Sequence, residues 1–457
     1  MKTIAATQKL VIHGDDWGPA VTKTILSFEH PVMKTGLTKD TFTVTETKET
    51  TDFSASDFPR VVASFERKVT DVYLSNAAGN PVDDETSSYV TIEMYVSPQE
   101  GSPFFYDMKT GLNDWCVPYA LSIEGEVMVD GEEVLVNVEK DIDLKDPSTR
   151  ICPEADRFTF RTYRGKVSSY TYGEFVPESD GEKKALVIWL HGAGEGGKDN
   201  YITILGNKVT ALVSDEFQAL FNGVYVLTPQ TPTFWMNDGT NTYVTEENTG
   251  ESMYGEDLFS LIDAYVRMHE DIDPERIIIG GCSNGGYMTM KMVLDHPDYF
   301  YKAYPICEAY YDAAISDEML EAVKESGTSF WFTYAENDTT VPPEKTAVPT
   351  VERMKEMGIE VHESVYPDVH DTTGRFYDDH GNPYDYIGHW SWLYFFNNEN
   401  NSDGLNEWEW LAESGKDKKK SRALKVVKIA AGVTAGVVLA AGAAIGAALF
   451  FKKKKKF

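Results

Sequence analysis

The sequence predicts an α/β domain on a mostly parallel sheet, an all-β domain ahead of it and one membrane-spanning helix behind it. Three observations predict this. From about residue 165, continuous apolar, β-branched segments alternate with helical patterns, which marks βαβ units. From about 8 to 160, short alternating segments follow one another between turn residues, with no helical period. Residues 429–451 are 23 residues without a charge, long enough to cross a bilayer core as a helix.

The amino-terminal segments come first. Residues 21–28, 41–44, 69–74 and 89–96 alternate apolar and polar side chains as half-buried strands do. Asn76-Ala77-Ala78-Gly79-Asn80-Pro81 and Val129-Asp130-Gly131-Glu132 supply the turns between them. Repeated short strands of this kind suggest an immunoglobulin-like β-sandwich over 1–160. It holds no cluster of His, Cys or convergent polar residues, so the sequence assigns it no chemistry.

The second domain spans 161–398. Residues 185–190, 224–227, 277–279, 329–334 and 359–362 read as strands, and 257–268 as an amphipathic helix. Beyond it, 399–425 reads as a polar and basic linker, 426–451 as the anchor and 452–457 as a basic tail. Gly432/Gly436 and Gly442/Gly446 are Gly-x-x-x-Gly spacings that offer helix-mediated self-association, though an Ala/Gly-rich span is the simpler account. Lysines flank both ends of the span, so charge asymmetry gives little orientation.

The net charge of −31 hides a split. Residues 416–457 carry 12 Lys or Arg against one Asp, leaving 30 basic and 72 acidic side chains, a balance of −42, on the first 415 residues. So acidic a body excludes non-specific nucleic-acid binding. Cys116, Cys152, Cys282 and Cys307 show neither metal spacing nor a disulfide framework. Neither a metal nor an organic cofactor is expected. The first nine residues lack the apolar run of a secretory signal. Taken literally, this keeps the body cytosolic; a start assigned too far downstream would look the same.

The chemistry centres on Gly281-Cys282-Ser283-Asn284-Gly285. A buried strand precedes it and a helical pattern follows, the setting of a nucleophile elbow. A serine hydroxyl needs a base within reach and a carboxylate to orient that base. Asp338, on the loop leaving the 329–334 strand, is the expected acid, with Glu336 as alternative and turn capping as its structural reading. Four histidines follow: His362, His370, His380 and His389. His362 reads as packed in a strand and His380 as exposed in a turn. His389, entering a packed apolar segment, is preferred to His370, which lies closer to the last strand. The oxyanion of acyl attack needs backbone donors. Asn284 would supply one, and Gly192 or Ala193 in His191-Gly192-Ala193-Gly194-Glu195-Gly196-Gly197 the other. That loop lacks the Gly-Lys-Ser/Thr ending of a phosphate-binding loop. His191 is expected to be structural.

Taken together, the His191–Glu195 segment, Pro229-Gln230 with Trp235 downstream, Gly281-Cys282-Ser283-Asn284-Gly285-Gly286, Asp338-x-x-Val341-Pro342 and Gly388-His389-Trp390-Ser391-Trp392 form a series. In this order they resemble the esterase/predicted-peptidase branch of the α/β-hydrolases, related to polyhydroxybutyrate depolymerase-like esterases and more distantly to prolyl oligopeptidases. The resemblance covers about 165 to 398. Residues 8–160 resemble, more weakly, the immunoglobulin-like amino-terminal domain of some of these esterases. It implies a Ser283–His389–Asp338 triad acting on a small or oligomeric carboxylic ester. Trp235 would contact substrate, and Phe234, Tyr287, Tyr310 and Trp390 hint at an apolar or aromatic one. Relatives are commonly exported, whereas no signal is visible here. Residues 371–387 exceed what a bare hydrolase core needs and are expected at the pocket. A serine peptidase with the same triad, and a surface binding protein on a decayed hydrolase scaffold, are the rivals.

Overall fold

The structure, a computed structural model, describes residues 2–52, 54–240 and 252–414. The expected anchor and basic tail lie outside the described residues, among which no helix is long and apolar enough to cross a membrane.

Eleven strands build the first domain: β1 (Thr3–Asp15), β2 (Gly18–Met33), β3 (Phe42–Thr51), β4 (Arg60–Arg67), β5 (Val69–Ser75), β6 (Thr86–Met94), β7 (Phe104–Asp107), β8 (Leu112–Trp115), β9 (Tyr119–Val129), β10 (Glu132–Val138) and β11 (Arg150–Ile151). The sheet path is β4-β3-β9-β10-β1-β2-β6-β5, with β11 beside β1. Strands β2 and β9 lie apart on this path yet touch, so the sheet closes into two layers. Leu10, Leu26, Val44, Leu121 and Ile92 fill the space between them. The Asp130-Gly131 turn has both φ angles positive, 53° and 81°, as a two-residue hairpin requires. The hairpin β7–β8 pairs only with itself and reaches toward the second domain.

That domain holds β12 (Thr159–Arg164), β13 (Ser169–Phe175), β14 (Lys184–Leu190), β15 (Tyr225–Gln230), β16 (Ile272–Cys282), β17 (Lys302–Ile306), β18 (Ser329–Ala335) and β19 (Val361–Tyr366). They pair in the order β12-β13-β15-β14-β16-β17-β18-β19. Both pairings of β13 are antiparallel, and all those from β15 to β19 are parallel. Every residue of β14 and β18 is buried, because helices cover both faces; this is why these segments read as continuous apolar runs. The helices are α1 (Asn200–Gly206), α2 (Asp215–Phe221), α3 (Gly255–Met268), α4 (Asn284–Asp295), α5 (Asp317–Ser326), α6 (Ala347–Met357), α7 (Trp392–Phe396) and α8 (Glu407–Ala412).

Two expected boundaries need correction. A division at 160/161 cuts through β12, which belongs to the second sheet. Residues 399–414 are not linker. Asn401–Ser402 and Leu405–Asn406 form a two-stranded hairpin, followed by α8. Asn406 caps α8 by accepting from Glu409 N, and Trp408, Trp410 and Leu411 are buried. The polar run that reads as linker is the turn ahead of this helix, where Asn398, Asp403 and Gly404 take positive φ. The rest of the expected linker, 415–425, lies outside the described residues. The 371–387 insertion is largely a bridge between domains: Arg375 pairs with Asp15 at 2.7 Å, and Phe376 meets Trp17 edge-on. Only its end, Ile387, reaches the cavity described next.

Candidate active site

Ser283 sits between β16 and α4 with φ 56° and ψ −116°. A non-glycine residue there is strained by roughly 1–3 kcal/mol. The flanking glycines make the turn possible. A Cβ on Gly281 would lie 2.3 Å from Leu190 O, and one on Gly285 only 1.9 Å from the same atom. The chain therefore passes against β14 where no side chain fits, and Ser283 alone faces outward. Cys282 is fully buried, and burial pushes its thiol well up; it remains a packing residue, as the sequence indicates.

Asp338 follows β18 and is 4% exposed. One carboxylate oxygen accepts from the N–H groups of Thr340 and Val341, at 2.8 and 2.9 Å. The other lies 2.7 Å from His389 Nδ1. A carboxylate whose first oxygen accepts two N–H bonds orients its second as an acceptor too, so Nδ1 donates to it and Nε2 is left as an acceptor. His389 is 8% exposed and lines one cavity with Ser283. The other histidines stand elsewhere. His370 pairs with Asp368 at 2.6 Å, His362 stacks on Trp331, and His380 lies exposed in a turn, as does Glu336 on its loop.

The loop after β14 is held from below. His191 Nδ1 donates to Gly192 O at 2.6 Å, and its Nε2 accepts from Thr231 N at 3.2 Å. Burial pulls this imidazole down to about 4, so it stays neutral and structural. Gln230 donates to the carbonyls of Glu195 and Asp199, at 3.0 and 3.1 Å, which gives the Pro229-Gln230 motif its physical role. Gly192 and Ala193 line the cavity. Asn284 begins α4, and its side chain turns away from the cavity to accept from Trp235 N at 2.5 Å.

Trp235 does not contact the cavity. It is fully buried, packed against the His191 ring at 5.1 Å. Phe234, Tyr287 and Tyr310 are likewise core residues, and of the expected aromatics only Trp390 lines the cavity. An indole behind the loop serves to fix His191, which sequence distance alone could not distinguish from a pocket wall.

The cavity, of about 550 Å³, is walled on its other side by the first domain. Asp16 and Trp17 reach it from the β1–β2 turn, Ser102 from the loop ahead of β7, and Phe104, Tyr106 and Asn113 from the β7–β8 hairpin. The sequence assigned this domain no chemistry, yet it completes the site. The aromatic density of the 104–115 hairpin was the available signal. Glu195 was also missed. It is 7% exposed and lines the cavity. Burial pushes its carboxyl up to about 7, against hydrogen bonds from Asn113 and from the N–H groups of Glu195 itself and Gly192.

Residues 7–136 match the esterase Ig-like N-terminal domain, and residues 244–307, spanning the elbow, match the prolyl oligopeptidase family. No curated protein matches the chain. Among solved structures, a thermostable esterase is 24% identical, with TM-score 0.67, over 86% of this chain and 96% of its own. The acylaminoacyl peptidase of Pyrococcus horikoshii is 15% identical, with TM-score 0.37, over 78% and 61%. The Staphylococcus aureus fluorophosphonate-binding serine hydrolase F is 12% identical, with TM-score 0.37, over 56% and 98%. The two family matches and the shared fold give this chain an α/β-hydrolase fold behind an Ig-like amino-terminal domain, similar to esterases and to prolyl oligopeptidases, and they support a serine hydrolase.

Proposed function

We propose that this protein hydrolyses carboxylic esters with Ser283 as nucleophile, His389 as general base and Asp338 as its orienting carboxylate. The observation that carries the reading is the 2.7 Å bond from His389 to Asp338 in the cavity that the strained Ser283 faces. His389 Nε2 takes the hydroxyl proton as Oγ bonds to the ester carbon. The tetrahedral oxyanion is met by the N–H groups of Asn284 and of Gly192 or Ala193. Its collapse breaks the bond to the alkoxide, which leaves with the proton from His389. Water then repeats the sequence on the acyl-enzyme and restores Ser283. No residue of this scheme calls for a metal or organic cofactor.

A peptidase would use the same groups on an amide. We prefer the ester because the β7–β8 hairpin and the β1–β2 turn wall the cavity to about 550 Å³, which suits a compact acyl group better than an extended peptide. Turnover of p-nitrophenyl acetate and butyrate set beside peptide p-nitroanilides tests this. Faster cleavage of the anilides would make the enzyme a peptidase, and no turnover of either would leave a binding protein on a hydrolase scaffold.

A further inference from the structure

A second groove adjoins the cavity. It has a volume of about 710 Å³ and runs between β3–β4, the 95–102 loop and residues 376–384 of the insertion. Ser102, Phe104 and Tyr106 line both spaces, so the groove opens onto the cavity that Ser283 faces.

Its walls have a distinctive chemistry. Among the described residues six Phe or Tyr side chains are at least 36% exposed, and four of them, Phe65, Tyr95, Tyr106 and Tyr377, line this groove. Exposed rings scattered singly need no explanation, but four converging on one groove mark a binding surface. The remaining lining is polar. Five carboxylates and one lysine line it; Arg67 pairs with Glu46 and Glu100, and Arg60 with Glu49, which leaves Glu66 and Asp379 exposed to the groove. That lysine, Lys48, is already engaged, with Glu46 at 3.1 Å and Ser102 O at 2.6 Å.

We propose that this groove binds a neutral sugar chain and presents an esterified hydroxyl of that chain to Ser283, an inference that rests on the ester reading above. Aromatic faces pack against the C–H faces of sugar rings, while the exposed carboxylates Glu66 and Asp379 and the hydroxyls of Thr50 and Thr51 bond to sugar hydroxyls. Glu66 and Asp379, exposed at the groove, disfavour polyanions, including uronic-acid polymers and nucleic acids. An aliphatic chain would strip water from Glu66 and Asp379, which are exposed in the groove. A cationic peptide satisfies the charge but offers amides, whereas a sugar chain carries an esterifiable hydroxyl at each repeat.

The test uses the full chain with Ser283→Ala for binding and the wild-type nucleophile for turnover. Xylohexaose, cellohexaose and mannohexaose are titrated calorimetrically, with polygalacturonate and oligolysine as controls. At least one neutral hexaose should bind, and Phe65→Ala with Tyr377→Ala should abolish that heat. The same pair should lower kcat/KM on the acetylated form of the bound hexaose by about tenfold, the loss expected from two ring contacts. It should leave p-nitrophenyl acetate turnover unchanged, since neither side chain lines the Ser283 cavity. Circular dichroism checks that the variants fold. Binding of oligolysine in place of every hexaose, or no hexaose binding at all, overturns the proposal. So does an equal loss on both substrates. Hexaose binding without turnover of any ester would instead overturn the ester reading and leave the sugar site standing.

Discussion

Asn113 of the β7–β8 hairpin donates to Glu195 at 3.2 Å, joining the first domain to the loop that carries Gly192 and Ala193. Gly194 passes so close that a Cβ there would lie 3.0 Å from Asn113 Nδ2. The same hairpin is anchored by Trp115, whose indole N–H donates to Asp199 at 2.8 Å. Asp199 in turn caps α1 by accepting from Tyr201 N. Both ends of the loop thus lean on the Ig-like domain.

Asn113→Ala should therefore lower kcat on p-nitrophenyl acetate by roughly tenfold with little change in KM, because small displacements of oxyanion donors are costly. An unchanged kcat in a folded variant would mean that the contact holds the domains together without shaping the site.

Ser283→Ala should fold and lose on the order of 10⁴ to 10⁶ in turnover, together with fluorophosphonate labelling. Because Ser283 holds a φ of 56°, Ser283→Gly should be more stable than Ser283→Ala by about 1 kcal/mol. Equal melting temperatures for the two variants would argue that the elbow is not strained.

What was legible in the sequence was local. The buried strands, the elbow glycines, and Asp338 and His389 each announce themselves through their immediate neighbours. Glu195, Trp235 and α8 do not. Glu195 becomes interesting only once Asn113, 82 residues earlier, lies against it. Trp235 reads equally well as pocket wall or core until His191 packs on it. The α8 segment is too short for a periodic pattern. It is held instead by long-range contacts, with Trp410 against Trp331 and Arg276 donating to Ala412 O at 3.0 Å.

The 23 uncharged residues at 429–451 lead us to propose a membrane anchor. Deleting 426–457 should release the enzyme from membranes without lowering ester turnover, since α8 and everything before it remain. Extraction of the full chain by carbonate would show that the segment does not span.

His389→Ala should abolish turnover, whereas His370→Ala should cost less than about tenfold, because only the base that reaches the nucleophile carries its proton. His370 is occupied by Asp368 and lies outside the cavity lining. A dead His370 variant beside an active His389 variant would reassign the base.

The last expectation concerns stability and pH. Glu407, the first residue of α8, is fully buried, and burial pushes its carboxyl up to about 8. Asn400 Nδ2 donates to one of its oxygens at 2.5 Å. The ordinary value is 4.5, so between pH 4.5 and 8 the folded chain holds a proton that the unfolded chain has lost. Stability must then fall as pH rises through that window, by at most about 1.4 kcal/mol per unit for this group, and level off above it. Glu308, buried and pushed up to about 8, and Glu195 act in the same direction. Glu407→Gln keeps an acceptor for Asn400 and removes the ionisation. Its denaturant midpoint should fall less than that of the wild type between pH 5 and 8. Parallel pH profiles for the two proteins would mean that Glu407 is already ionised in the native state, with its charge met by partners other than Asn400.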